Sequence, residues 1–370
     1  MKEDNTIYVT KPFLPPIEEF IQYLDKIWES GILTNNGSLH NQLEESLKGK
    51  FGWSGVSLFS NGHLALEVAL KVLGLEKGSE IITTPFTFVS TTAAIVNQGY
   101  VPVFCDITDN CTIDVNQIED LITEKTAAIM PVHVYGFPCD VEKIDEIAKK
   151  HNLKVLYDAA HAIGVRYKEK DISSYGDMSM FSFHATKLFH TIEGGALVYS
   201  DPELKKTIDL HKNFGISGPE SIEMVGMNAK MNEFQAAMGL LQLSYIDHLI
   251  NERKSIYEGY KKRLSSIKNL EMLNPDEDTE YNYAYMPVLI KKNRNRIFDH
   301  LAKNEIHARK YFYPSISNVE CYKKYLRGNS LIKADTIAEE IITLPIYPGL
   351  SAAQVDRICQ TLLDAMKENI

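Results

Sequence analysis

Between Leu64 and Asp158, short apolar runs rich in β-branched residues alternate with helix-period segments, and this alternation constrains the fold more than any other feature of the chain. The helical segments are Leu64 to Leu73, Ser90 to Gln98 and Val141 to His151. The strand-like runs are Glu80 to Thr84, Val101 to Cys105, Thr126 to Val134 and Lys154 to Asp158. Strands separated by helices need crossover connections, which build a largely parallel sheet buried on both faces. Ligands of such sheets gather outside the carboxyl ends of the strands. The expected fold class is therefore α/β with a large, mostly parallel sheet.

Upstream, a helix is expected over Ile17 to Ser30 and a loop over Gly31 to Gly37. Near Met231 the alternation stops. A long amphipathic helix from Glu233 to Leu264 follows, then a strand-like Tyr281 to Ile290, a helix over Arg294 to Asn304 and a closing helix over Ala352 to Lys367. A chain of 370 residues exceeds the size at which one core stops growing. The expected division is residues 1–240 as the large sheet domain with its N-terminal segment, and residues 241–370 as a smaller α+β domain.

The run Leu153 to Ala162 reads as a buried strand that ends in Asp158, followed by small residues and a histidine, His161. Lys187 lies 29 positions on, just past an apolar strand and shortly before Gly194-Gly195 and a further strand. Singly, Lys187 reads as a solvated ammonium, and Asp158 as the N-cap of a following helix. Together they point into one crevice. A desolvated lysine suits a Schiff base with an aldehyde cofactor, and an aspartate beside a pyridine nitrogen keeps that nitrogen protonated. That combination is what pyridoxal phosphate requires.

Four runs, Asp158 to Ala162, Phe181 to Lys187, Glu193 to Ala196 and Asn228 to Ala237, resemble the DegT/DnrJ/StrS family of nucleotide-sugar aminotransferases. The resemblance spans nearly the whole chain. It implies the aspartate-aminotransferase type of pyridoxal 5′-phosphate fold and a homodimer with shared active sites. It also implies amino transfer from L-glutamate to a dTDP-linked keto-6-deoxyhexose for cell-surface polysaccharide, with the 4-keto sugar favoured over the 3-keto isomer. A branch of the family dehydrates sugars and carries histidine where Lys187 stands, so retention of the lysine favours transfer. The intact Asp158 and Lys187 also speak against a silent regulatory homologue.

Further site residues follow from the resemblance. Gly62 opens a helix whose free N–H groups suit a phosphate. It is followed by His63 where the family has threonine, so a hydroxyl contact is lost or replaced. Phe88, in Pro85 to Ser90, matches the aromatic that stacks on the pyridine ring, and Ser182 matches a serine on the phosphate. His161 matches a residue that touches the ring oxygen or supports the aspartate. Asn228 matches an asparagine that reaches the phosphate of the other subunit, and Lys230 replaces the usual arginine nearby. His184, Arg309 and Tyr313 are expected near the sugar and nucleotide. For Phe88, His161, Arg309 and Tyr313 a plain core or surface role reads as well.

Composition narrows the rest. A net charge of −10 without a dense basic tract argues against nucleic acid. Lys291 to Arg296, the nearest candidate, reads as a solvated loop and helix start, and a local basic site for a diphosphate stays open. The opening Met1 to Thr6 lacks an apolar core, and no apolar run reaches the length of a membrane span, so the expectation is a cytoplasmic protein without membrane contact. The scattered Cys105, Cys111, Cys139, Cys321 and Cys359 suit neither a disulfide framework nor a zinc site, and no metal is expected. Cys139, near a strand end, is left as a reactive candidate.

Overall fold

A computed structural model describes residues 5–367; the start of the opening segment, residues 1–4, lies outside them. Seven strands form the main sheet: β1 Gly55–Phe59, β2 Glu80–Thr83, β3 Val101–Phe104, β4 Thr126–Met130, β5 Lys154–Asp158, β6 Met178–Ser182 and β7 Gly195–Tyr199. Their spatial order is β1-β7-β6-β5-β4-β2-β3. Only β7 runs against its neighbours, in register from Gly195 opposite both Phe59 and Ser182 to Tyr199 opposite Gly55 and Met178. Strands β1, β2 and β7 are buried at every position, so both faces are covered, as helical crossovers require.

Helices α1 Ile17–Ser30 and α2 Ser38–Phe51 precede the sheet, and α3 Gly62–Val72, α4 Val89–Asn97 and α5 Val141–His151 cross between its strands. Each boundary has a local cause. Asp140 caps α5 by accepting from the Lys143 N–H, and Asn152 ends it in a left-handed conformation. The long helix α6, Glu233–Leu264, starts at a reciprocal capping box between Asn232 and Gln235. A second sheet of three antiparallel strands joins Leu270–Met272, Met286–Ile290 and Ile341–Leu344. One apolar core runs from Leu43 and Val155 through Tyr257 and Leu264 to Val288 and Leu362, and a second gathers Phe59, Leu66, Ile81, Met130, Leu156 and Leu197, at about 1.5–3 kcal/mol for each large side chain buried.

Three expectations need correction. The strand expected over Tyr281 to Ile290 begins only at Met286, because Tyr283 takes a positive φ of 54° and the preceding side chains bond elsewhere. No helix follows Asp158; the chain turns through Ala160, whose N–H bonds the carboxylate. Arg294 is not solvated: it is 4% exposed, and its guanidinium donates to the carbonyls of Ala338 and Glu339.

Candidate active site

The carboxyl ends of β1, β5 and β6 meet at one edge of the main sheet. Asp158 closes β5 and is 4% exposed. Thr91 of α4 donates its hydroxyl to Asp158 Oδ2 at 2.7 Å, and Thr87, just before the helix, bonds Thr91 in turn at 2.8 Å. The Ala160 N–H reaches Oδ1 at 3.1 Å. Burial raises the Asp158 pKa, while Thr91, Ala160 and the nearby charge of Lys187 pull the other way.

Lys187 sits in the loop between β6 and β7. That loop is closed by hydrogen bonds from Phe183 N to Gly194 O and from Thr191 N to Phe183 O, both 2.9 Å, and is anchored by buried Leu188 and Phe189. The lysine N–H turns back on His184 O at 2.8 Å. Burial lowers the amine pKa to about 8, against the attraction of Asp158 and Tyr311. Its Nζ meets the Tyr285 hydroxyl at 3.3 Å. A recess beside it is lined by Thr10, Thr186, Tyr285, Tyr311 and Thr343.

Gly62 begins α3 directly after β1. The Asn61 side chain caps Leu64 N at 2.9 Å and the Asn61 carbonyl takes Ala65 N, while the Gly62 and His63 N–H groups at the helix end have no partner among the described residues. A Cβ at Gly62 would lie 3.0 Å from Met180 Sδ and 3.3 Å from Ser182 Cβ. Gly195 packs still closer, its hypothetical Cβ 2.7 Å from Gly62 Cα. Gly62 and Ser182 thus pack against each other at a positive helix end, which fits a phosphate. With the buried carboxylate and the lysine, these residues fit pyridoxal 5′-phosphate.

The other expected residues fall into place unequally. His161 is buried and neutral: burial lowers its pKa well below the usual value, and Nδ1 accepts the Tyr135 N–H at 3.0 Å, which leaves Nε2–H as a donor. Phe88 caps α4 and is 59% exposed rather than part of the core. His63 bonds Ser90 at 2.8 Å and faces Glu67 at 3.2 Å. His184 is held by Thr186 at 2.8 Å and Glu193 at 3.4 Å. Asn228 is exposed, and Lys230 donates to both Asn228 Oδ1 at 3.1 Å and Asn213 Oδ1 at 2.7 Å. Arg309 and Tyr313 are exposed; Tyr313 lies under Arg294, 4.5 Å from its ring centroid, and Arg309 pairs its backbone with Thr343.

Cys139 is not a reactive thiol. It is buried, bonds Val132 O at 3.2 Å, and burial pushes its pKa far up. Residues absent from the sequence reading also build the site. Thr91 holds Asp158, Gln235 ties α6 to the carbonyls of Ser60 and Glu193, and Tyr135, Asn282 and Tyr285 surround His161 and Lys187. Only Thr87 and Thr91, spaced one helical turn apart after a strand, carried a sequence signal.

Known proteins resemble this chain over nearly its whole length. A dTDP-4-amino-4,6-dideoxy-D-glucose transaminase of Shigella dysenteriae is 42% identical over 97% of this chain and 99% of its own. One of Escherichia coli is 42% identical over 98% of this chain and its whole length. Among solved structures, DesI in the presence of its TDP-sugar product superposes with a TM-score of 0.93 at 29% identity, covering 98% of this chain and 94% of that one. Spr1654 of Streptococcus pneumoniae, solved in PLP and PMP forms, superposes with TM-scores of 0.92 and 0.91 at 27% and 26% identity, covering 99% and 98% of this chain and the whole of that one. The profile of the DegT/DnrJ/EryC1/StrS aminotransferase family matches residues 16–363, and the chain belongs to that pyridoxal phosphate-dependent family.

Proposed function

We propose that the chain moves an amino group from L-glutamate to the 4-keto group of a dTDP-linked 4-keto-6-deoxyhexose, giving dTDP-4-amino-4,6-dideoxyglucose. One observation carries the chemistry: a buried strand-end carboxylate, Asp158, shares its crevice with a lysine whose pKa burial lowers to about 8. The choice of sugar rests on the two transaminases that share 42% of their residues with this chain and are named for that product.

Pyridoxal 5′-phosphate, when bound, supplies an aldehyde that receives the donor's amino group and a ring that accepts the electrons of the breaking C–H bond. Lys187 would hold its aldehyde carbon, Asp158 its ring nitrogen, and Ser182 with the Gly62 and His63 N–H groups its phosphate. Phe88 would cover a ring face and His161 Nε2–H would meet the ring oxygen. At a pKa of about 8, roughly one Lys187 in ten is neutral at pH 7, against about one in three thousand for an ordinary lysine. Lys187 is therefore ready to take a proton from one carbon and return it to another. Thr91 and Ala160 keep a carboxylate in place against the cost of burial.

The working unit of this proposal is a cytoplasmic homodimer in which Asn228 serves the neighbouring subunit's phosphate. Exposed apolar side chains support it, on the N-terminal segment at Leu14, Ile17, Ile21 and Trp28, and beside Asn228 at Phe214, Ile222 and Val225. No helix among the described residues is long and apolar enough to cross a membrane. His184, Arg309 and Tyr313 are assigned to the sugar nucleotide, and residues 1–240 and 241–370 to two domains. The test supplies dTDP-4-keto-6-deoxyglucose and glutamate, with and without a 3,4-ketoisomerase, and locates the new C–N bond by NMR. Amination at C-4 without the isomerase supports the proposal. Product that forms only with the isomerase present overturns the C-4 assignment.

A further inference from the structure

The segment from Tyr281 to Tyr285 leaves the strand pattern its sequence suggests and bonds instead to the elements around the crevice. Buried Asn282 donates to the carbonyls of His161 and Ile163, each at 2.9 Å, and accepts from Ala284 N at 3.1 Å. The Tyr281 hydroxyl donates to Tyr135 O at 3.0 Å, and the same Tyr135 carries the N–H that meets His161 Nδ1. From the other side, buried Arg253 of α6 donates to Ala284 O at 3.1 Å and Ile346 O at 3.0 Å. The Tyr285 ring is wedged between His161 at 4.5 Å, Tyr135 at 5.8 Å and Tyr311 at 6.0 Å, centroid to centroid. The segment that carries Tyr285 is thus tied to the crevice on one side and to α6 on the other. The Tyr285 hydroxyl is the one hydrogen-bond partner of Lys187 Nζ among the described residues.

We infer that Tyr285 is a positioning residue for Lys187: its phenol oxygen accepts an N–H from the ammonium, and its O–H donates to the nitrogen once that proton has left. A lysine has four rotatable side-chain bonds and reacts well only when its nitrogen stays near one place. A phenol serves both protonation states because it both donates and accepts. Burial pushes the Tyr285 pKa well up, so the hydroxyl keeps its proton through the working range. The charged and titratable groups facing this pair are Asp158, His161, Tyr311, Tyr135, Tyr281 and Arg253, and none of them bonds Lys187 Nζ. The inference rests on Lys187 being the reacting amine.

Tyr285→Phe keeps the ring and its packing and removes only the hydroxyl. Cofactor-free wild type and variant are labelled with acetic anhydride across pH 6–11, and mass spectrometry of the Lys187 peptide gives the amine pKa of each. Loss of an acceptor disfavours the ammonium more than loss of a donor disfavours the amine, so the Lys187 pKa is expected to fall by about one pH unit. The loaded variant is expected to lose about tenfold or more in kcat, with KM for glutamate within about twofold. Tyr257→Phe, whose ring packs on Tyr281 at 6.0 Å and whose hydroxyl bonds Leu273 O and Asn274 Oδ1, is expected to leave the Lys187 pKa in place and controls for loss of a phenol hydroxyl beside the segment. An unchanged pKa and kcat in Tyr285→Phe overturns the inference, as does an equal shift in Tyr257→Phe. A wild-type Lys187 that titrates like an ordinary lysine instead overturns the assignment of the reacting amine.

Discussion

Holding an amine desolvated has a cost, and Lys187→Met in the cofactor-free protein exposes it. Burial moves the lysine pKa from 10.5 to about 8, a net value that already includes the attraction of Asp158. The drop corresponds to about 3 kcal/mol, and partial exposure of the side chain brings it toward about 2 kcal/mol. Below pH 8 the lysine is charged in both the folded and unfolded chain, so the folded state bears the full cost. Between pH 8 and 10.5 the folded state has released the proton and the unfolded state has not, so stability rises with pH and the cost disappears. Methionine carries no charge to bury. At pH 7 the variant is therefore expected to be about 2–3 kcal/mol more stable than wild type, and the gap to shrink as pH rises through that window. Urea unfolding of both proteins between pH 7 and 10 measures it. A difference that does not change with pH, or a variant less stable at pH 7, would refute the reasoning.

Asp158→Asn keeps the volume and removes the charge, so turnover is expected to fall by orders of magnitude while far-UV circular dichroism stays unchanged; near-normal turnover contradicts the role given to the carboxylate. Mixing Lys187→Ala protein with Asn228→Ala protein is expected to restore about a quarter of wild-type activity, since half the random dimers are hybrids with one intact site. A fully active monomer by light scattering counts against that exchange. Of the five thiols, only exposed Cys321 is expected to react with Ellman's reagent in the native protein, the other four being buried; a second fast thiol would contradict the packing around them.

The sheet and the candidate pair Asp158 and Lys187 were legible because short-range patterns encode them. The bounds expected for Val141 to His151, Lys154 to Asp158, Glu233 to Leu264 and Ala352 to Lys367 coincide with the observed elements, each set by local periodicity and caps. Asp158 stood out as a polar residue closing a buried run, and Lys187 by its place between two strands. The supports of that pair were hidden because they act across long separations in sequence. Thr91 meets Asp158 across 67 positions, Tyr285 meets Lys187 across 98, and Gln235 meets Glu193 across 42. Tyr281 to Tyr285 misled for the same reason, since its alternation is that of a strand while its partners lie at the crevice. The exposure of Phe88 depends on how α4 docks, which no local pattern records.

The central claim is that Lys187 is the amine that carries and releases the cofactor. Reduction of the loaded enzyme with borohydride, followed by peptide mass spectrometry, reads this directly, before and after incubation with glutamate. The expected result is one modified lysine, in the peptide containing Lys187, whose modification is lost after glutamate has freed the amine. Modification of a different lysine, or labelling of Lys187 that glutamate leaves untouched, would contradict the account.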